Sequence, residues 1–195
     1  MCATYAIAAY PKEVALRDGA AAAVKIRPLE PGDKDALLEF FLGIGEEERF
    51  YLRDDVTSPA VISQWTEKVD YNAVLPLVAM VGERIVAEGV LIRRRGGARS
   101  HLGEIRLLVA PDYRGRGLGT IMIQELCDVA DDADLNGVLL EAVADTQLEA
   151  MQTAQWMGFI QVGTIVGGAR DPRGDLHDIL LYVMPMGKWY EWSKT

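Results

Sequence analysis

A segment rich in glycine and arginine carries the clearest chemical signal in the sequence. Residues 109–120 read VAPDYRGRGLGT, and apolar residues at helical spacing follow them. Glycines let the backbone approach a ligand, and the first N–H groups of a helix are unpaired at its positive end. The segment therefore predicts a cradle for phosphate or pyrophosphate between a strand and a helix, and Arg114 and Arg116 add positive charge to it.

A plain turn and two nucleotide-binding motifs fit these glycines less well. Glycines can simply form a tight turn, although three of them with two arginines within six residues favour a ligand. A Rossmann dinucleotide site needs a third glycine where Thr120 stands, and a tighter turn after its strand. A nucleotide P-loop needs lysine followed by serine or threonine, and this pair does not follow the glycines.

The spacing Arg114-x-x-Gly117-x-Gly119 fits the Arg/Gln-x-x-Gly-x-Gly/Ala signature of the GNAT superfamily of acyl-CoA-dependent N-acetyltransferases, which the chain resembles over roughly residues 24–186. EIRLLVAP (104–111) before the signature and WMGF (156–159) after it extend the likeness. In the front half, YP (10–11), VALRDG (14–19), VKIRP (24–28) and DY (70–71) are similar to the acetyltransferase domain of bacterial Pat-type protein lysine acetyltransferases.

The resemblance implies an α/β (α+β) GNAT fold, in which a mixed, mostly antiparallel sheet contains a β-α-β acyl-CoA-binding core and is flanked by helices. It implies acetyl-CoA as cosubstrate, no metal, and a primary amine as acceptor, either a protein lysine or a small molecule. Tyr71 is expected near the acceptor entrance. The residues expected to hold acyl-CoA are Leu107, Leu108, Val109, Arg114, Gly115, Arg116, Gly117, Leu118, Gly119, Thr120 and Asp145.

Glu104 is the candidate general base. Acetyl transfer needs a neutral amine, whereas a lysine-like amine has a pKa of ~10, so a carboxylate near the acyl group has to take a proton. Strand alternation puts Glu104 and Arg106 on one face, and Ile105 on the other. In the resembling enzymes a glutamate at this place acts as the base. A solvated glutamate on a strand is the alternative.

One position departs from the superfamily. Many members carry a tyrosine general acid four residues before the Gly-Phe found here at 158–159, and this chain has Ala154 there. The thiolate then takes its proton from water or another group, or leaves without one, since a thiol of pKa ~8.5 is a fair leaving group. Ala154 also motivates an alternative function, a catalytically silent acyl-CoA-binding sensor. Asp145 replaces a common asparagine, for which a helix cap is the simpler explanation.

Periodicity and turn signals predict the order of the elements. A hairpin over residues 14–27 turns at Asp18-Gly19, and a helix begins at Asp33 and ends at Gly43 or Gly45. A second helix follows Ser58-Pro59. Strands are expected at 75–81, 84–95, 104–110, 137–143, 159–166 and 177–184, with helices after the glycines and after a capping box at Thr146–Glu149.

Composition bounds the remaining possibilities. The 195 residues predict an arm (1–23), one domain (24–186) and a tail (187–195). The net charge of −9 opposes non-specific nucleic-acid binding. Two distant cysteines and two histidines predict a reduced, cytoplasmic protein without a metal centre. We expect no membrane association, because no apolar run reaches the length of a membrane span.

Overall fold

The structure, a computed structural model, describes residues 7–17, 23–52, 54–94 and 96–187. Within these ranges eight strands form one sheet, which packs against helices on both faces. The strands are β1 (Lys12–Val14), β2 (Val24–Pro28), β3 (Val74–Val81), β4 (Arg84–Arg93), β5 (Leu102–Val109), β6 (Gly137–Val143), β7 (Ile160–Arg170) and β8 (Leu176–Pro185). The helices are α1 (Lys34–Leu42), α2 (Glu46–Phe50), α3 (Pro59–Glu67), α4 (Leu118–Asp132) and α5 (Leu148–Trp156).

The sheet has the order β1-β2-β3-β4-β5-β6-β8-β7. Among the described strands β5 and β6 form the parallel pair, joined by α4, and the other neighbours are antiparallel. This confirms the predicted mixed, mostly antiparallel sheet with one β-α-β crossover. The last strand, β8, lies between β6 and β7, so the chain leaves the sheet edge at β7 and returns inward.

Two apolar clusters cover the faces of the sheet. The α4-side cluster includes Leu118, Met122 and Leu126 of α4 with Ile105 of β5. The α1-side cluster includes Phe41 of α1 and Ile62 of α3, with Leu108 packed against it. Successive residues of β5 therefore face opposite clusters, as strand alternation requires. Residues 75–80 of β3 are all buried, because the strand lies under helices on both sides.

Most predicted elements are confirmed, and the differences are local. Helix α2 was not predicted: it is one short turn with no buried side chain, so it leaves no apolar period to read. The capping box predicted at Thr146–Glu149 was wrong, because Gln147 is the N-cap of α5. The side-chain oxygen of Gln147 accepts a hydrogen bond from the Val143 amide at 2.9 Å. The predicted hairpin strands do pair as β1 and β2, but β1 ends at Val14, so the prediction placed the first strand too late in the chain. The predicted turn at Asp18-Gly19 lies outside the described residues.

Within the described ranges, no helix has the length and apolarity that crossing a membrane requires. The predicted tail lies outside those ranges from residue 188 onward.

Candidate functional site

The central feature of the site is a fork between β5 and β6. Their parallel pairing runs from Leu102–Gly137 to Ile105–Leu140 and then stops. Beyond it β5 remains paired with β4 through Val109, and β6 pairs with β8 through Val143. The two strands therefore diverge toward their carboxyl ends, where residues 114–120, here called the glycine loop, lie.

Backbone alternation shows which groups of β5 face the fork. The Ala110 amide donates to Val86 O at 2.9 Å, so residue 110 points toward β4. The backbone N–H and C=O groups of successive residues point to opposite edges of a strand. Those of Leu107 and Val109 therefore point into the fork. Leu108 belongs with the residues that point to β4. Of the three strand residues that were expected to hold acyl-CoA, Leu107 and Val109 thus form the edge of the fork and Leu108 does not.

The glycine loop joins β5 to α4 through two glycines in the left-handed region. Gly115 and Gly117 have φ of +70° and +85°, a backbone conformation that side chains disfavour. Gly117 is the N-cap of α4, and the first helical hydrogen bond is Ile121 N to Gly117 O at 3.1 Å. The amides of residues 118–120 therefore have no partner within the helix and are available at its positive end.

Gly119 lies where the helix start meets the fork edge. A Cβ added there would come no closer than 3.7 Å to Val109 and 3.8 Å to Leu107, which is ordinary contact. Nothing lies within 4 Å of a Cβ built on Gly115. The loop thus presents open space beside amides that have no partner within the helix.

The two arginines of the loop have different surroundings. Arg114 donates from Nε to Val109 O at 3.0 Å and from Nη2 to Glu48 at 2.9 Å, so it ties the loop to the end of β5 and to α2. The guanidinium carbon of Arg116 lies 5.1 Å from the ring centroid of Tyr113. Arg114 therefore already has an acidic partner in this structure.

Glu104 lies at the closed end of the fork, opposite Leu139 in the last part of the paired segment. Its Oε1 accepts from Nε and Nη2 of Arg106 at 3.0 and 2.9 Å. The predicted common face of these two residues is confirmed. Leu108 continues that face into the α1-side cluster, so Glu104 and the α4 N-terminus lie on opposite sides of the sheet.

Glu88 on β4 is a buried acid that was not among the predicted site residues. It is 6% exposed and pairs in register with Val78 and Leu108, which both face the α1-side cluster. Burial raises the pKa of its carboxyl to about 8, and the nearby charge of Arg106 opposes that shift. Glu88 is therefore largely protonated at neutral pH. The sequence held one sign of this buried acid, namely a glutamate in the middle of an otherwise apolar run.

Tyr71 and Asp145 do not join Glu104. The Tyr71 hydroxyl donates to Leu29 O at 2.6 Å, and its ring packs against the α4-side cluster. Burial raises its pKa. Asp145 follows the end of β6 on the other arm of the fork. It does not cap α5, so the predicted capping role of Asp145 was wrong. Its carboxylate lies 3.3 Å from Nδ1 of His177 instead.

His177 links three segments beyond the end of β6. Its Nε2 is buried and lies 3.8 Å from Asp171, while the Tyr51 ring meets the imidazole edge-to-face at 6.4 Å. Burial raises the pKa of Tyr51, with a further contribution from the negative charge of Asp171. No group of three or more metal-ligating side chains was found in the described part of the chain.

A cleft of about 460 Å³ lies between the first turns of α4 and the end of α5. Its walls include Thr120 and Gln124 on α4, and Trp156 and Met157 at the end of α5. Thr120 thus lines this cleft and is also one of the residues whose amide has no partner within the helix. Ala154, the position of the missing tyrosine, is fully buried in the α4-side cluster.

Comparison with known proteins identifies the family of the chain. Residues 37–159 match the profile of the Acetyltransferase (GNAT) family. Because the match spans more than half of the chain, the protein belongs to the GNAT family of N-acetyltransferases. No curated protein sequence matches the chain significantly.

Solved structures share the fold at low sequence identity. The GNAT domain of S. lividans PAT is 18% identical with a TM-score of 0.74, covering 92% of this chain and 98% of that one. Ribosomal-protein-S5-alanine acetyltransferase from Vibrio fischeri is 14% identical with a TM-score of 0.74, covering 85% and 94%. A GCN5-related N-acetyltransferase from Kribbella flavida is 22% identical with a TM-score of 0.71, covering 84% and 98%.

Proposed function

We propose that this protein transfers an acetyl group from acetyl-CoA to a primary amine, with both substrates bound together and Glu104 as the general base. The observation that carries the proposal is the fork between β5 and β6, which opens onto the unpaired amides of the glycine loop. Acetyl-CoA supplies the acetyl group as a thioester, which a neutral amine can attack.

The glycine loop and the fork bind different parts of acetyl-CoA. Amides of residues 118–120 and the open space at Gly115 hold the pyrophosphate at the positive end of α4. The fork-facing backbone groups of Leu107 and Val109 hydrogen-bond the extended pantetheine arm, as an added strand would. An N–H group on this edge that meets the thioester carbonyl oxygen stabilises the negative charge that develops there.

Glu104 handles the proton on the other face of the sheet. The acceptor amine enters from the α1 side, and the Glu104 carboxylate takes its proton directly or through one water. Arg106 fixes the orientation of that carboxylate through its two hydrogen bonds. With Ala154 in the core, the sulfur that leaves takes its proton from solvent or departs as thiolate.

We propose either a protein lysine or a small amine as acceptor, in line with the Pat-like segments of the sequence. We also propose a cytoplasmic location, consistent with the free thiol of buried Cys127, whose pKa burial raises to about 12.

Thiol release tests the proposed function. Wild-type protein is mixed with acetyl-CoA and a panel of amines and lysine peptides, and free CoA is measured against time. Acceptor-dependent CoA release with matching acetylated product is the expected result. Acetyl-CoA should also raise the melting temperature, whereas NADH and ATP at equal concentration should not. Tight acetyl-CoA binding without turnover on any acceptor would favour the sensor instead, and equal stabilisation by NADH would contradict both.

A further inference from the structure

The N-terminal arm, residues 7–17, lies along α4, outside the segment that matches the family profile. The Tyr10 hydroxyl and the Lys12 ammonium both donate to Oε2 of Glu125, at 2.9 and 2.6 Å. Ile7, Val14 and Leu16 pack into the α4-side cluster. The arm is therefore fixed against the helix whose N-terminus carries the glycine loop.

Arg17, in the same arm, lies on that loop. Its amide donates to Arg116 O at 3.1 Å. Its Cγ, Cδ and Nε each lie 3.0 Å from the position of a Cβ built on Gly117, so the side chain crosses directly over this glycine. The guanidinium carbon then lies 5.7 Å from the ring centroid of Trp156, which lines the cleft between α4 and α5.

The charge of Arg17 lies close to the positive end of the α4 helix. Its side chain crosses Gly117, the N-cap of that helix, and the positive end of a helix dipole repels a cation. In the described ranges, Arg17 forms no ion pair with a carboxylate, although the chain carries a net charge of −9. A phosphate bound at the loop amides would remove this repulsion.

We propose that Arg17 is a ligand of the pyrophosphate of bound CoA, so that the N-terminal arm completes the acyl-CoA site. The inference rests on the proposed function, in which the glycine loop holds CoA. A guanidinium presents paired N–H donors that match phosphate oxygens. Contact with the Trp156 ring holds the planar group in place beside the cleft. Gly117 is needed for a second reason in this arrangement, because a side chain there would displace Arg17.

Direct binding tests this role without any acceptor. Arg17→Gln and Arg17→Lys are compared with wild type by calorimetry, using CoA, 3′-dephospho-CoA and pantetheine, the last by competition against CoA. The first two ligands contain the pyrophosphate, and pantetheine does not. Arg17→Gln should weaken CoA and 3′-dephospho-CoA by about tenfold and leave pantetheine unchanged. Arg17→Lys should recover part of the loss, since it keeps the charge.

Lys25→Gln is the matched control, because Lys25 is an exposed cation on β2, next to the arm, and its loss removes the same charge. It should bind all three ligands like wild type. Equal weakening of all three ligands by Arg17→Gln would mean that Arg17 only supports the fold. Weakening of CoA alone would assign it to the 3′-phosphate, and no weakening would remove it from the site. Each of these results overturns the inference about Arg17. The proposed function still stands in these cases if the wild-type protein binds CoA. If the wild-type protein binds none of the three ligands, both the inference and the proposed function are overturned.

Discussion

Oε1 of Glu104 accepts two hydrogen bonds from Arg106, at 3.0 Å from Nε and 2.9 Å from Nη2. The two residues are neighbours on one face of β5, two positions apart, and their contact lies at the closed end of the fork. This arrangement holds a carboxylate in a fixed orientation at the point from which the two strands diverge. It gives Glu104 the pre-positioning that a general base needs.

Glu104→Gln should lower the acetylation rate at neutral pH by roughly 10²–10⁴-fold, because the amide keeps the size of the side chain but cannot take the proton. CoA binding should barely change, since the glycine loop is intact. The loss should shrink at higher pH, where more of the acceptor amine is already neutral. A pH–rate profile of both proteins measures this. Glu149→Gln, an exposed acid on α5, is the control. Wild-type turnover in Glu104→Gln would exclude this carboxylate as the base.

Glu88→Gln should be more stable than the wild type, by a margin that grows as the pH rises. The folded pKa of about 8 lies above the ordinary value of 4.5, so the folded protein binds the extra proton between these values. Stability from this group is full below pH ~4.5 and is lost as the pH rises toward 8. The variant avoids that loss, which is on the order of 4 kcal/mol at pH 8.5.

Urea unfolding at pH 5 and pH 8.5 measures the Glu88 effect. The gain of Glu88→Gln over wild type should be larger at the higher pH. Glu83→Gln, at the exposed turn of the same hairpin, should show no such dependence. A difference between Glu88→Gln and wild type that is the same at both pH values would contradict the raised pKa.

Gly119→Val should abolish CoA binding and leave the chain folded, whereas Gly119→Ala should keep both. A Cβ at this position makes only ordinary contacts with Leu107 and Val109, so the smaller side chain fits. The two γ-methyl groups of valine need more room beside Leu107 and Val109, and we expect them to narrow the space at the helix start in which the proposed function places the pyrophosphate. Gly117 is less suitable, because its φ of +85° strains any side chain. Circular dichroism checks folding and calorimetry checks binding; undiminished CoA affinity in Gly119→Val would make the loop a simple turn.

Asp33→Asn should destabilise the fold by about 3 kcal/mol at pH 7, because it leaves the largely buried Arg27 without its charged partner. Asp33 accepts from Nη1 and Nη2 of Arg27 at 2.6 and 2.7 Å. Burial alone would raise the pKa of Asp33, but the hydrogen bonds from Arg27 and from the Glu30 amide outweigh it and lower the pKa.

The wild-type advantage over Asp33→Asn is therefore present above the ordinary pKa of ~3.9 and is lost as the pH falls through the lower folded value. Chemical unfolding at pH 7 and near pH 3 measures it. Asp35→Asn, exposed in the first turn of α1, is the control. An advantage that persists undiminished in acid would show that the ion pair is not its source.

Local features of the sequence determined most of the elements and the local geometry around the glycine loop and β5. Glycines 115 and 117 allow the positive φ values of the loop, and the apolar residues after them face one side of α4 because a helix has a 3.6-residue period. The same kind of local rule put Glu104 and Arg106 on one face of β5. These predictions succeeded because they depend on residues close together in the chain.

Only the tertiary structure decided which distant residues meet. Arg17 and Gly117 are a hundred positions apart, and the docking of the arm on α4 brings them together. Glu88 is buried because β4 lies in mid-sheet, and Asp145 faces His177 because β8 inserts between β6 and β7. Burial and electrostatic environment depend on the neighbours that the whole fold supplies, and the periodicity of one segment carries no information about them.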